Sequence, residues 1–301
     1  MKEKKIFLIA NPKSGRAKVK DELLGIISVF TQSGYTVTVY PTTKRRDATE
    51  ITAALSDEYE MIVCCGGDGT LNEIISGMMQ NENEYKLGYI PLGTLNEWSS
   101  SLHISRNARQ AAKDIISGRV MSLDIGKFGD KYFAYTASFG AFTSASYSAP
   151  QGVKNALGQV AYILEGAREI ASIKPIHLKF TLDEKTTVEG DYLYGGVSNS
   201  LSCGGVIKLD EALVKLDDGL FEIVLIEKPD NIAAFGNIVD AILTKKYDNC
   251  PYLKQFTASR VLIEGQKSLN WTLDGELAKG GQKTEILNLQ KAVKFIIPSK
   301  E

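Results

Sequence analysis

Only two histidines and four cysteines occur among the 301 residues, which leaves little from which to build a zinc site or a histidine-centred triad. His103 and His177 are isolated from any partner pattern, and Cys64, Cys65, Cys203 and Cys250 lack metal-ligand spacing. Neighbouring Cys64 and Cys65 would point to opposite faces of a strand, so the thiols read as reduced core residues. The formal net charge of -1 lacks the basic excess of a protein that grips a nucleic-acid backbone, so no nucleic-acid partner is expected. No apolar run approaches the length of a membrane span, and the opening Met1-Lys2-Glu3-Lys4-Lys5 lacks the apolar core of a signal peptide. The expectation is a cytoplasmic chain with no transmembrane segment. With 44% hydrophobic and 24% charged residues it has an ordinary globular composition, and its length favours two domains.

Against this background one stretch stands out. Residues 61–65 form an apolar strand that runs into Gly66-Gly67-Asp68-Gly69 and then into a helix start at Thr70-Leu71-Asn72-Glu73. The glycines are expected to allow positive φ and close ligand approach, while the helix aims its positive end at the same place. Thr70 and Glu73 have the spacing of a capping box. An acid inside a phosphate loop makes sense if Asp68 acts through a cation or positions a proton-bearing group, so the stretch reads as a nucleotide-phosphate site with a metal. The competing reading is a tight glycine turn without a ligand. Gly69-Thr70-Leu71-Asn72-Glu73 recurs letter for letter as Gly93-Thr94-Leu95-Asn96-Glu97, again after an apolar strand. Two parallel strands would thus end in matching helix starts at the carboxyl edge, where open α/β sheets bind ligands.

Before this stretch, residues 6–10 read as a buried strand ending in Asn11-Pro12-Lys13-Ser14-Gly15. A helix over about residues 17–33, a strand over 35–40, the turn at Thr42 to Arg46 and a helix over about 47–55 complete a βαβαβα order, which implies a parallel sheet with right-handed crossovers. Seven basic residues against one acidic between Lys2 and Lys20, together with Lys44-Arg45-Arg46, read mainly as solvated faces. A helix follows over about 107–117. From residue 121 onward short strands dominate (192–197, 221–226, 261–264, 269–273, 284–289 and 293–297), interrupted by helices near 154–171 and 231–243. The expected division is an α/β domain over residues 1–128 and a β-rich domain over 129–301, whose last residues can return to the first.

Gly66-Gly67-Asp68-Gly69-Thr70 with Asn72-Glu73, then Pro91-Leu92-Gly93-Thr94 with Asn96, then Asp274-Gly275-Glu276 together resemble the soluble diacylglycerol kinase catalytic domain, which bacterial lipid kinases share with sphingosine and ceramide kinases. The first motif also resembles that of NAD kinases. The resemblance implies a nucleotide-binding α/β domain followed by a β-sandwich, ATP and Mg2+ as cofactors, a lipid substrate met at the membrane surface, and room for a homodimer. It implies nucleotide contacts at Asn11, Lys13, Thr42, Gly66, Gly67, Asp68, Gly69, Thr70, Asn72, Glu73, Thr94 and Asn96. Asp68, Asp124 and Glu276 would be catalytic, with Glu276 as the proton acceptor. A magnesium ion would sit on the Asp218 carboxylate and the backbone carbonyls of Lys215 and Leu220.

Bland readings stand beside these: a plain Asp-Gly hairpin before Glu276, and an acidic turn at Asp217-Asp218. Phe133, Tyr135, Phe139 and Phe142 would line a lipid cleft or simply fill a core. The chain departs from the family pattern at Arg46, where a glycine is usual, and at Glu97 and Ser100, where Asp and Arg are usual. Losing a guanidinium removes a bidentate phosphate donor, so a weakened nucleotide- or lipid-binding sensor stands as an alternative. A NAD kinase-like enzyme, the other alternative, is disfavoured by Pro91-Leu92-Gly93-Thr94 and Asp274-Gly275-Glu276.

Overall fold

A computed structural model describes residues 3–94, 96–140, 174–203, 207–212 and 214–299; the expected helix near 154–171 and Phe142 lie outside them. The chain divides into two compact units, residues 1–125 with 290–301 and residues 126–289.

The first unit alternates strand and helix: β1 (Lys4–Ala10), α1 (Lys18–Gln32), β2 (Tyr35–Pro41), α2 (Asp47–Ala53), β3 (Met61–Gly66), α3 (Asp68–Met78), β4 (Lys86–Pro91), α4 (Glu97–Ser101) and α5 (Ala108–Ser117). Parallel pairing gives the strand order β2-β1-β3-β4. The chain moves one way from β1 to β2 and the other way from β2 to β3 and β4. Right-handed crossovers therefore put α1 on one face and α2 and α3 on the other, and the observed α1–α5 and α2–α3 packing agrees. β3 is buried along its whole length, as a strand covered by helices on both faces should be. Its two cysteines are free and fully buried, and burial pushes both thiols well above their ordinary range.

Two long strands run across the division of the chain, β5 (Arg119–Phe128) and the C-terminal β17 (Lys283–Ile297). The end of β17 returns to the first unit and pairs in parallel with β4 at Lys294–Lys86 and Phe295–Leu87. There Phe295 is fully buried and meets Trp98 of α4 edge-on at 5.0 Å. The return is made through Lys291, a non-glycine residue at φ 54, whose N–H donates to Asp124 Oδ1 at 2.7 Å.

The second unit contains β6 (Lys131–Phe133), β7 (Thr136–Gly140), β8 (Ile176–Leu182), β9 (Thr186–Ser198), β10 (Ser202–Cys203), β11 (Ile207–Lys208), β12 (Phe221–Glu227), α6 (Ile232–Thr244), β13 (Leu253–Ala258), β14 (Arg260–Glu264), β15 (Leu269–Leu273) and β16 (Glu276–Gly280). Its pairings are antiparallel: β9 carries β8 along its first half, and β7 and β12 on either side of its second half. One core gathers Phe133, Phe139, Phe180, Tyr192, Phe221 and Trp271, so the aromatic stretch at 133–139 is core and not a cleft lining. A second core packs α6 residues Ile238 and Ile242 on Tyr194, Val224 and Ile226. His177 is not isolated: exposed on β8, its side chain faces Asp191 at 2.9 Å and Glu189 at 3.1 Å, and these two carboxylates raise its pKa.

If the C-terminal strand is an integral part of the first unit, Phe295→Ala should lower stability by about 3–5 kcal/mol in denaturant melts. A loss under about 1 kcal/mol would show that the returning strand is dispensable.

Candidate functional site

Strand register decides where the motifs meet. Ala10 lies opposite Pro41 and Cys65, and Gly66 opposite Pro91, so the turns after β1, β2, β3 and β4 all leave one carboxyl edge. The edge is closed by main-chain bonds: Asn11 N–H to Cys65 O at 3.0 Å, Thr42 N–H to Ala10 O at 2.8 Å, and Leu92 N–H to Gly66 O at 2.8 Å. The Asn11 amide donates to Thr70 Oγ1 at 3.0 Å and its carbonyl oxygen accepts the Lys13 N–H, which fixes the first loop against the phosphate loop. Lys13 is exposed at the tip.

The glycines act differently from expectation. Gly66, Gly67 and Gly69 have no positive φ; Gly67 is extended at φ -101 and caps α3 without any side-chain bond. What the loop requires is proximity. A Cβ on Gly93 would lie 2.5 Å from Gly67 Cα, so the two repeated motifs touch backbone to backbone. The capping boxes are likewise absent, because α3 starts at Asp68, two residues before Thr70, and the second helix starts only at Glu97. Thr70 is buried within α3 as acceptor for Asn11, Asn72 is half-buried two residues on, and Thr94 is exposed.

Asp68 is the acid at the head of α3. Its Oδ2 accepts the Glu97 N–H at 3.2 Å, joining the phosphate loop to the second motif. Its Oδ1 is buried and has no hydrogen-bond partner among the described residues. Burial pushes the carboxyl above the usual range, countered by backbone N–H groups of Glu97, Trp98 and Asn96. A buried carboxylate oxygen without a protein donor fits a hard cation, which takes oxygen ligands and keeps its own waters. Among the described residues no group of three His, Cys, Asp or Glu side chains gathers, so any such ion would rest on Asp68, phosphate oxygens and water.

Other expected contacts are engaged within the protein. Asn96, at φ 52 and 4% exposed, takes the Gly93 N–H and the Tyr89 hydroxyl on Oδ1 and returns its amide to Gly93 O, so it builds the loop. Glu73 accepts the N–H groups of Arg46 and Ala48. Asp124 is fully buried and holds the kink at Lys291. Ser100 is exposed on α4.

In the second unit, Asp274 and Gly275 form the two-residue turn between β15 and β16, both at positive φ (48 and 88). Asp274 is 4% exposed, and its carboxylate accepts the N–H groups of Ala134, Tyr135 and Thr136 at 2.5–3.0 Å. Nothing local in the sequence signals that clamp, since its partners lie 138 to 140 residues away. It fixes the turn from which exposed Glu276 opens β16. Asp218 is exposed and accepts the Leu220 N–H at 3.0 Å in a turn completed by Gly219 at φ 82. The set proposed there, one carboxylate with the Lys215 and Leu220 carbonyls, consists of oxygen donors only and suits Mg2+.

An α/β unit with a glycine-rich acidic loop at its carboxyl edge, followed by a β-rich unit, defines a nucleotide-binding class of protein. Comparisons narrow it further. Residues 5–128 match the diacylglycerol kinase catalytic domain, and residues 138–288 match the YegS C-terminal NAD kinase beta sandwich-like domain. A Staphylococcus aureus (strain Newman) protein named diacylglycerol kinase is 32% identical over 299 residues, covering 98% of this chain and 93% of that protein. A solved candidate diacylglycerol kinase from Bacillus anthracis str. Sterne superposes with a TM-score of 0.83 at 25% identity, covering 99% of this chain and 96% of that one. The chain belongs to the diacylglycerol kinase family and is a lipid kinase.

The Gly67–Gly93 contact gives a direct test. Gly93→Ala should force the loops apart, weakening Mg-ATP binding at least tenfold and lowering the melting temperature by a few degrees, about 1–3 kcal/mol of overpacking. Unchanged binding by calorimetry would show that the motif contact is incidental.

Proposed function

We propose that this lipid kinase transfers the γ-phosphoryl group of ATP, with Mg2+, to a hydroxyl of diacylglycerol or a close relative. The observation that carries the reading is the buried, unpartnered Oδ1 of Asp68 at the head of the phosphate loop. The acceptor is supported by the Staphylococcus aureus relatives, which are named for diacylglycerol. Phosphoryl transfer asks a protein mainly for positioning and charge neutralisation, with one group to take the hydroxyl proton. Backbone donors at the start of α3 and the 66–69 loop receive the phosphates, with Lys13 at the rim. Asp68 would hold Mg2+, which neutralises charge on the phosphates when bound. Glu276, presented by the turn that Asp274 clamps, takes the proton of the lipid hydroxyl. The Asp218 turn is a second magnesium position. Exposed Ser100 offers no charge, so cations on the 13–16 and 44–46 loops are the candidates to replace the absent guanidinium.

Two substitutions test these roles. A carboxyl whose folded pKa is raised favours folding only at low pH, and that contribution is lost as pH rises through the folded value. Ionised Asp68 therefore opposes folding at neutral pH in the nucleotide-free protein. Asp68→Asn should leave the melting temperature at pH 7 unchanged or higher, with the gap to wild type closing on acidification, while abolishing Mg-ATP-dependent transfer. Retained activity would remove Asp68 from the mechanism.

Glu276→Gln should lower kcat by about a hundredfold to ten-thousandfold with Mg-ATP affinity preserved, as for loss of a general base. Loss of nucleotide binding with kcat intact at saturation would make it a binding residue instead.

A further inference from the structure

The residues after β2 are fixed by two acids that hold main chain. Asp47, at the start of α2, accepts Thr43 N–H at 2.6 Å, Thr43 Oγ1–H at 2.9 Å and the Tyr40 hydroxyl at 3.0 Å. From α3, Glu73 accepts Arg46 N–H at 2.8 Å on one oxygen and Ala48 N–H at 3.2 Å on the other, and its own carbonyl takes the Thr49 hydroxyl at 2.9 Å. Arg46 is the N-cap of α2 and stands at φ 63, a conformation that a side chain disfavours. Arg46 makes no side-chain cap on α2, and one open donor of its first turn, the Ala48 N–H, is met from α3. The two helices lie close enough for this because a Cβ on Gly77 would come within 2.6 Å of Thr49 O. Glu73 therefore lies on the same rigid helix as Asp68, one turn and a half further on, and bonds to the backbone that follows Thr42.

We propose that Glu73 is a positioning residue, not a nucleotide contact: it latches the 42–48 segment to the helix of the phosphate loop, so that Thr42 and the cations at 44–46 stand ready at the nucleotide before it binds. This deepens the nucleotide reading above and rests on it. The latch acts in the free protein. Its loss should appear in nucleotide affinity, because the segment must then be ordered at the expense of binding, and not in the transfer step once the site is full.

Binding is measured on the whole chain with a non-hydrolysable ATP analogue and Mg2+, which needs no lipid, and kcat is measured separately with ATP, Mg2+ and diacylglycerol. Glu73→Gln keeps the shape but turns one acceptor oxygen into a donor facing an N–H. It should weaken analogue binding about tenfold or more, the scale of a lost charge-assisted bond. It should also speed amide exchange at Arg46 and Ala48 in the free protein, and leave kcat within about twofold at saturating ATP. Glu73→Asp, which keeps the charge, should recover part of the affinity. Unchanged affinity, or a kcat loss with affinity intact, overturns the latch. So does fast exchange at Arg46 and Ala48 in the wild type, a measurement that holds even if the variant folds poorly. A wild type that binds no analogue overturns the nucleotide reading, and the latch with it, whereas binding by wild type and Glu73→Gln alike overturns the latch alone.

Discussion

The contact on which the site depends is the one between Gly67 and Gly93, two backbones with no room for a methyl group between them. It exists because β3 and β4 are neighbours in register, so that identical motifs leave the sheet side by side. At this distance Asp68 reaches the Glu97 N–H, and the phosphate loop becomes one body with the loop that follows β4. The glycines serve approach and not turning, which explains why Gly67 is extended.

Around this contact a common device recurs. Arg46, Asn96 and Lys291 are non-glycine residues at positive φ, each disfavoured by about 1–2 kcal/mol. In each case an acid from another element accepts a main-chain N–H at or just after the residue: Glu73 at Arg46, Asp68 at Glu97, Asp124 at Lys291. Hydrogen bonds to charged groups contribute about 1.5–3 kcal/mol, enough to offset such strain at Arg46 and Lys291, whereas burial of Asp68 outweighs that gain at neutral pH. Asp274 does similar work for three N–H groups in the second unit. Most acids that stand out in the sequence therefore hold backbone in place, and Asp68 differs from them by keeping one buried oxygen open.

The α/β class was legible because fully apolar strands and amphipathic helices alternate with short turns, and the β-rich class of the second half was legible from its many short strands. The strand at 176–182 was not recognised although Ile176–Leu182 alternates apolar and polar residues strictly, the pattern of a half-buried strand. Both capping boxes were misread because Thr and Glu at the right spacing also occur away from a helix start, Thr70 two residues inside α3 and Thr94 three residues before α4, and only the backbone tells where the helix starts. The sites were legible as motifs but not as roles: spacing marks Glu73, Asn96 and Asp124 as notable, while their partners lie 24 to 167 residues away or inside their own loop. Asp47 and Asp274 carry no local sign of what they hold.

The central claim is that this site moves a phosphoryl group onto a lipid despite Glu97 and Ser100. The most direct measurement incubates the purified protein with γ-labelled ATP and a panel of diacylglycerol, sphingosine, ceramide, NAD and no acceptor, with and without Mg2+. The account predicts Mg2+-dependent label in the phosphorylated diacylglycerol or a close relative and none in NAD. Tight Mg-ATP binding with no labelled lipid at all would contradict it.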